Sequence, residues 1–331
     1  MICAGTMPTS LEAVALTAIG FCVGTAGSFF GVGGAFLVTP ALNILGFPMV
    51  CAIGTDLAHM TGKSVIATLR HRKLGHVDWH AGGLLLFGTL PGVKLGTVAV
   101  MALERAGLTE SVLRYVYILL LGVVGTLILR ESLSSRNDAE PDGTRALLRR
   151  RFRLRPFVSL KTSGIESISV WGVILLGLAT GFLSSFLGVG GGFIRMPAMI
   201  YLLGMPTRVA VGTDLLEVLF SGGYGAFLYA REGRVDVIAA LVMLFGAAVG
   251  SQLGAMATKY VEAGRIRLYL AVAVLGSGAA VAAKQFGATA LSAGILLILG
   301  PSLAGVIIYK LVVGVKRQRA ALERVIESDL A

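Results

Sequence analysis

Apolar residues recur along the chain in long runs, and each run is bounded by glycine, proline or charged residues. A run of about 20 apolar residues is long enough to cross the hydrocarbon core of a bilayer as a helix. The pattern predicts membrane helices near 11–30, 34–46, 49–69, 81–103 and 112–129. A second set follows near 167–187, 191–204, 208–230, 237–258 and 265–283, and a last segment lies near 287–309. We therefore expect an all-α polytopic membrane protein.

The two sets of segments are copies of one unit. With a shift of 157 positions, ten residues of the stretch 24–41 recur in 181–198, and a Gly-Val-Gly-Gly motif is among them. After an insertion of one residue the shift becomes 158, and Gly-Thr-Asp at 54–56 matches Gly-Thr-Asp at 212–214. Self-similarity at a fixed spacing is typical of structural repeats. The fold is therefore expected to contain two related helical units.

Composition and charge agree with a bilayer environment. The chain is 55% hydrophobic and 14% charged, with a mean hydropathy of +0.82. Its net charge of +11 would suggest nucleic-acid binding in a soluble protein. Here the basic residues are concentrated in a few loops, as in the cytoplasmic loops of membrane proteins. We therefore expect the lipid bilayer, and not a nucleic acid, as the partner of this surface.

The charge distribution also divides the chain into parts. We predict a first membrane repeat over 1–129, a basic cytoplasmic linker over 130–166 and a second membrane repeat over 167–283. An extra transmembrane helix and a basic cytoplasmic tail are predicted over 284–331.

Topology depends on the short segments 34–46 and 191–204. If they cross the membrane, each unit has five spans, the two units are inverted, and both the linker and the tail are cytoplasmic. If they are re-entrant, each unit has four spans and the basic tail lies outside, against the positive-inside rule. We predict inverted units with a periplasmic N-terminus. Whether the short segments span fully stays open at this stage.

A functional site is expected where these helices break. Lipid cannot satisfy the backbone groups of a break, so a break must line a cavity or a protein interior. The free N–H groups at the start of a half-helix attract anions, and paired breaks in two repeats mark the central site of many transporters. The alternative is that the glycines only allow close helix packing. The predicted anion-binding residues at the two breaks are Ser28, Gly31, Gly33, Gly34, Ser185, Gly188, Gly190 and Gly191.

Two motifs carry a resemblance to a known family. Each Gly-Val-Gly-Gly motif is followed by a proline and then by Ile-Gly-Thr-Asp at 53–56 or Val-Gly-Thr-Asp at 211–214. In these features the chain resembles the TauE/SafE family of sulfite exporters from about Leu11 to Tyr309. The resemblance implies transport of sulfite, sulfoacetate or a related sulfur-containing anion across the bacterial inner membrane, usually outward. The long basic linker and the unpaired last segment depart from the repeat.

Ionisable residues at membrane depth are costly, so each of them is a functional candidate. Asp56, His59 and Lys63 have the spacing of one helix face. Lys94 and Arg195 have no basic counterpart in the other repeat, where Gln252 and Val38 stand. Among these cations, Lys63 and Arg195 are predicted to bind the substrate, the guanidinium through two parallel hydrogen bonds.

Acidic and imidazole groups at the same depth suit proton coupling, because their environment moves their protonation toward neutral pH. The alternative is that the charges form structural pairs and that Asp56 and Asp214 cap the adjacent helix breaks. The predicted proton-coupling candidates are His59, Glu217, Asp56 and Asp214.

Other classes of function are less compatible with this sequence. The cysteines are odd in number and lack metal-ligand spacing, so we interpret them as packing residues and not as a disulfide or metal site. No cofactor, metal or catalytic residue is predicted. The expected function is a secondary transporter, an exporter of a small anion that works by alternating access and is coupled to protons. An anion channel, or a membrane scaffold or enzyme without transport, is the alternative, and the oligomeric state stays open.

Overall fold

Helices form nearly all of the computed structural model, which describes residues 3, 9–31, 35–134, 154–188 and 190–330. The first unit contains α1 Ser10–Phe30, α2 Ala35–Ile44, α3 Met49–Lys73, α4 Trp79–Arg105 and α5 Thr109–Ser134. The second contains α6 Val170–Leu187, α7 Gly192–Ala198, α8 Thr207–Arg231, α9 Val237–Ala257 and α10 Ala263–Gln285. A π-helical turn, Met199–Leu203, extends α7, a 3₁₀ turn, Thr258–Tyr260, follows α9, and α11 is Thr289–Leu330. Within the described residues, 7 helices are long and apolar enough to cross a membrane, which confirms the all-α polytopic class.

Helix ends follow from local sequence. Thr9 and Glu12 form a reciprocal capping box at the start of α1. Asp78 and Asp236 cap α4 and α9, since the side chain of each accepts hydrogen bonds from the first turn. Glycines in the left-handed region end α1 and α6, with φ 76° at Gly31 and φ 71° at Gly188. The first glycine of each Gly-Val-Gly-Gly motif is therefore a helix stop.

Glycine stripes bring two pairs of helices from different units into close contact. A Cβ on the α9 glycines would collide with carbonyl oxygens of α1, and these contacts pair Gly246, Gly250 and Gly254 with Thr17, Phe21 and Thr25. The same relation on α4 and α6 pairs Gly88, Gly92 and Gly96 with Ile174, Leu178 and Phe182. Small residues permit such close approach of membrane helices. Because the residue numbers rise together, both pairs of helices are parallel.

Corresponding helices of the two units contact each other in opposite directions. Gly54, near the start of α3, lies against the carbonyl of Arg234 just after α8, and Gly212, near the start of α8, lies against the carbonyl of His76 just after α3. Gly125 of α5 lies against Leu275 of α10, and Gly278, further along α10, lies against Leu121, earlier on α5. These antiparallel contacts favour inverted units, and inversion stays a prediction.

The loops divide into two faces. The disulfide face carries the Cys3–Cys51 bond and the 2.9 Å ion pair of Arg234 with Glu104. The linker face carries residues 154–169, the end of α3 and the 3₁₀ turn after α9. The interpretation of the cysteines as packing residues is wrong for two of the three, because the N-terminal segment returns to the start of α3. Only Cys22 is free among the three.

The linker face carries a short β-hairpin that the hydrophobic pattern does not predict. Strands β1 Phe157–Leu160 and β2 Ile165–Ser169 pair in antiparallel fashion within the described end of the linker. Ser163 in the hairpin turn donates to Asp78 Oδ2 through its hydroxyl, at 2.6 Å, and through its backbone N–H, at 3.1 Å. The hairpin is thereby fastened to the start of α4, and residues 135–153 lie outside the described part of the chain.

Candidate functional site

The Gly-Thr-Asp motif of each unit joins that unit to the other. The glycine leaves room for a backbone carbonyl of the opposite unit. The threonine hydroxyl then accepts an N–H of the opposite unit: Thr55 from Asp236 and Thr213 from Asp78, both at 2.9 Å. The two contacts are equivalent under the repeat, so this part of the motif is a symmetric structural joint.

The aspartate of each motif holds the short helix of its own unit. Asp56 accepts a 2.9 Å hydrogen bond from Thr39 on α2, and Asp214 accepts a 2.5 Å hydrogen bond from Arg195 Nε on α7. Capping of the helix breaks by these aspartates, through backbone N–H groups, is the alternative to proton coupling. Each aspartate contacts a side chain of the short helix, and Asp56 also interacts with the backbone of Thr39. Each aspartate therefore fixes a short helix against α3 or α8, and capping stays an alternative role for Asp56.

The α3 cluster, which we define as Asp56, His59 and Lys63, is fully buried. His59 Nδ1 lies 3.6 Å from Asp56 Oδ1, outside hydrogen-bond distance. Lys63 Nζ and both ring nitrogens of His59 have no hydrogen-bond partner within the described residues. Buried polar groups are almost always satisfied, so these three atoms are available to water or to a ligand.

The α8 cluster, which we define as Arg195, Asp214 and Glu217, is also fully buried. Arg195 Nη2 contacts Glu217 Oε2 at 2.5 Å and donates to the carbonyl of Gly190 at 3.0 Å. Arg195 Nη1, Asp214 Oδ2 and Glu217 Oε1 have no hydrogen-bond partner in the described part of the chain. The structure therefore places the predicted anion-binding arginine in a buried ion pair with two carboxylates, and one of its nitrogens remains available.

The glycine motifs bring these clusters together. Gly190 and Gly191 both adopt the left-handed region, at φ 68° and 67°. A Cβ on Gly190 would collide with Met60 of α3, and a Cβ on Gly191 would lie 3.2 Å from Ser184 Cβ and 3.4 Å from Arg195 Nη1. A Cβ on Gly191 would also lie 2.6 Å from the carbonyl oxygen of Thr180, so the second motif is closely packed between the α3 and α8 clusters. Gly33 and Gly34 of the first motif lie outside the described residues.

The serines before the two motifs have unlike roles. Their carbonyls accept equivalent hydrogen bonds, Ser28 from His71 at 3.1 Å and Ser185 from Tyr229 at 2.8 Å. The Ser185 hydroxyl is hydrogen-bonded to Thr97 at 2.6 Å. The Ser28 hydroxyl is buried and has no partner among the described residues.

Sequence reasoning missed Ser184. Its hydroxyl is buried without a hydrogen-bond partner in the described ranges, and it lies next to Gly191. The repeat offered a signal, because Ser184 corresponds to Gly27 at the shift of 157 and is therefore another polar departure from symmetry.

Buried charges and unpartnered polar atoms between two packed helical units define a multi-pass membrane protein with a polar interior. Polar groups in such positions mark substrate and ion pathways. Similarity to known proteins identifies the family of this membrane protein. The family model described as "Sulfite exporter TauE/SafE" matches residues 16–281, and the chain belongs to this family.

Named relatives agree with this membership. A "Probable membrane transporter protein" of Xylella fastidiosa is 32% identical over 73% of this chain and 83% of its own length. "Probable membrane transporter protein YunE" of Bacillus subtilis is 26% identical over 79% of this chain and 94% of its own length. No solved structure matches. The chain is thus a membrane transporter by family, which argues against an enzyme.

Proposed function

We propose that the protein is a secondary transporter, an exporter of a small oxyanion such as sulfite, sulfoacetate or another organosulfonate. The observation that carries this proposal is the unpartnered Lys63 Nζ, a buried cation in a fold whose family exports sulfite. A charged side chain at membrane depth costs on the order of 3 kcal/mol on insertion scales, and Lys63 makes no hydrogen bond to a described residue that would offset this cost. A bound anion would offset that cost, which explains why the position is basic.

The anion would bind between the α3 and α8 clusters. Lys63 Nζ and Arg195 Nη1 supply charged donors, and the hydroxyls of Ser28 and Ser184 supply neutral ones, all without partners among the described residues. The turn at Gly190 and Gly191 would let a small oxyanion approach the backbone closely. Three other predicted residues would position the site and not bind the anion directly. Ser185 is already hydrogen-bonded, and Gly31 and Gly188 end helices and pack against the opposite unit.

Charge balance supports proton coupling. The two clusters contain three carboxyl groups, Asp56, Asp214 and Glu217, but only two groups that are cationic at neutral pH, Lys63 and Arg195. If all three carboxyl groups were ionised, the two clusters would be net negative and the addition of an anion would be unfavourable. A proton on Glu217 or His59 would remove the excess, so proton and anion would move together. Asp56 and Asp214 are the secondary candidates, because each also holds a short helix.

Alternating access would follow if the two units are inverted and rock against each other. The antiparallel contacts of α3 with α8 and of α5 with α10 support inversion. The positive-inside rule then assigns the linker face to the cytoplasm of a bacterial inner membrane. A reporter enzyme fused after residue 138 and another fused after residue 331 should both report the cytoplasmic side, and opposite sides would contradict this topology.

A direct test uses Lys63→Gln in purified protein. Loss of a buried charge-assisted hydrogen bond of about 2 kcal/mol should weaken sulfite binding by about 30-fold. Calorimetry in detergent measures binding, and flux in proteoliposomes measures transport. The matched control is Ser221→Ala, which removes a hydroxyl that is bonded to Glu217 and leaves Lys63 intact. Normal sulfite binding by a folded Lys63→Gln protein would contradict the proposed site.

The same vesicles distinguish a carrier from a channel. A carrier shows accelerated exchange when the anion is present on both sides, whereas a channel passes single-channel current. We expect accelerated exchange.

A further inference from the structure

A second basic site lies apart from the two buried clusters. A cavity of about 250 Å³ opens between α4 and α8, and we call it the α4–α8 cavity. Its lining includes three basic residues, Lys94, Arg105 and Arg231, with one acidic residue, Glu232. None of the three basic side chains makes an ion pair with a described residue. The cavity is therefore a net basic space with uncommitted positive charge.

The basic residues are arranged along the depth of the membrane. Arg105 ends α4 on the disulfide face, and Lys94 lies eleven residues earlier on the same helix. At about 1.5 Å per residue, this places Lys94 about 16 Å below that face, which is near the middle of a hydrocarbon core. A lysine side chain spans too little of this distance to reach the headgroups. Since Lys94 is exposed at this depth, the cavity must be open to water if the ammonium is to stay charged.

One hydrogen bond links the lining of the cavity to the helix that precedes the second glycine motif. Thr97, one turn from Lys94, lines the cavity and is hydrogen-bonded to the Ser185 hydroxyl at 2.6 Å. Ser185 is adjacent to Ser184, which lies beside Gly191 and Arg195. The lining of the cavity thus extends from Arg105 on the disulfide face to Thr97, which contacts the helix that carries Ser184.

The repeat shows that this opening is one-sided. At the shift of 158, Lys94 corresponds to Gln252 and Ala102 corresponds to Tyr260. Ala102 lines the cavity, whereas the Tyr260 ring packs on Gly314 of α11 and its hydroxyl donates to Gln318 at 2.8 Å. The equivalent position on the linker face is therefore covered by a large side chain and by the extra helix.

We propose that the α4–α8 cavity is the passage between the disulfide face and the central site, and that Lys94 is a second binding site where a small oxyanion pauses within it. This inference rests on the proposed anion transport. Arg105 and Arg231 at the mouth raise the local concentration of anions, and Lys94 replaces part of the water that the anion loses. The covered counterpart at Tyr260 means that the described conformation is open toward the disulfide face.

The test measures thiol labelling, which does not depend on transport. Val98→Cys, placed in the cavity lining of a Cys22→Ala protein, is treated with an anionic and a cationic methanethiosulfonate reagent in proteoliposomes. At Val98→Cys, we expect the ratio of the anionic to the cationic labelling rate to be about tenfold higher than the same ratio for a free thiol in solution. Lys94→Gln should remove most of that preference. Lys94→Arg should keep it. Met256→Cys, the repeat counterpart of Val98, is the matched control and should show no preference.

Competition identifies the occupant. Millimolar sulfate, which does not react with these reagents, should slow the anionic labelling of Val98→Cys. Labelling that is blocked by anionic lipid in the vesicle, and is unaffected by sulfate, would show that a lipid phosphate occupies the cavity and would overturn the proposal. No labelling by either reagent would also overturn it, because the cavity would then be closed to water.

A flux measurement relates the cavity to transport. With Lys94→Gln, the apparent affinity for sulfite presented at the disulfide face should fall by about tenfold, while binding from the linker face should be unchanged. If no variant transports any anion, the proposed function fails, but the labelling preference is still measured and decides on the cavity by itself.

Discussion

Helices α3 and α8 occupy equivalent positions in the two units. Their first turns make equivalent contacts with the opposite unit, but their buried charged residues differ. Each begins with a glycine that admits a carbonyl of the other unit and a threonine that accepts an N–H from it. Further along each helix the charges differ. His59 and Lys63 on α3 have no hydrogen-bond partners among the described residues, whereas Asp214 and Glu217 on α8 both pair with Arg195.

The difference teaches which residues of a repeat carry function. The glycine and the threonine of the Gly-Thr-Asp motifs make equivalent contacts in both units, whereas the aspartate contacts Thr39 in one unit and Arg195 in the other. Three positions that differ between the units, His59, Glu217 and Lys63, also hold polar atoms without a hydrogen-bond partner among the described residues. The symmetric contacts join the two units, and the proposed site for a charged ligand uses residues that depart from the symmetry.

The largest expected effect concerns the glycines near the start of α3 and α8. Gly54→Ala and Gly212→Ala should each place a Cβ against a backbone carbonyl that has no room to move. We expect each to destabilise the protein by about 3 kcal/mol or more, measured as a lower thermal midpoint in detergent. Gly223→Ala is the control, because its Cβ would be 3.4 Å from the nearest atom. Unequal effects at Gly54 and Gly212 would show that the two contacts between the units are not equivalent.

The next effect is confined to one unit. Arg195→Gln leaves Asp214 and Glu217 as buried carboxylates without their cation, which should cost about 3–5 kcal/mol. The double variant Arg195→Gln with Glu217→Gln should recover part of that loss. Thermal unfolding of the two proteins in the same detergent measures the recovery. A single variant as stable as the unaltered protein would mean that the α8 cluster is not held by charge pairing.

A smaller effect tests which cluster carries the proton. Sulfite binding should strengthen as pH falls from about 8 to about 5, because an added proton neutralises a carboxylate beside the anion. Glu217→Gln should flatten that dependence more than His59→Gln, since the α8 cluster has two carboxyl groups against one cation. Binding at a series of pH values gives the slopes. If only His59→Gln flattened the pH dependence of binding, the coupled proton would be assigned to His59 on α3.

The smallest effect returns to the symmetric joint. Thr55→Val and Thr213→Val each remove one acceptor at the start of a helix of the opposite unit and should cost about 1 kcal/mol. Thr61→Val is the control, since Thr61 donates only to a carbonyl of its own helix, at 2.8 Å. Thermal midpoints that differ strongly between the two threonine variants would show that the joints are not equivalent.

The sequence was sufficient to predict the helices and the repeat, because hydrophobic runs and self-similarity are local or periodic signals. It also identified the residues of both buried clusters, since a charge inside an apolar run is conspicuous. It could not give the partners of Arg195. Asp214 and Glu217 lie across a helix break, and whether a guanidinium faces them or the cavity depends on the geometry of Gly190 and Gly191.

Other misses have the same origin. The Cys3–Cys51 bond joins residues 48 apart, and no local pattern indicates that the N-terminal segment returns to α3. The hairpin at 157–169 lies in a polar stretch whose composition predicts a surface linker. In each case the missing information is a contact between distant parts of the chain, which hydropathy does not encode.

The disulfide has a consequence for how the orientation of the protein can be read. Such bonds form in oxidising compartments and are rare in the bacterial cytosol. Cys3 and Cys51 lie on one face, so their oxidation state records the compartment that this face meets in the living cell. Alkylation of cells before lysis, followed by a mass measurement, would read that record from the unmodified chain: two blocked thiols would mean a cytosolic disulfide face, and none at these positions would mean an exported one.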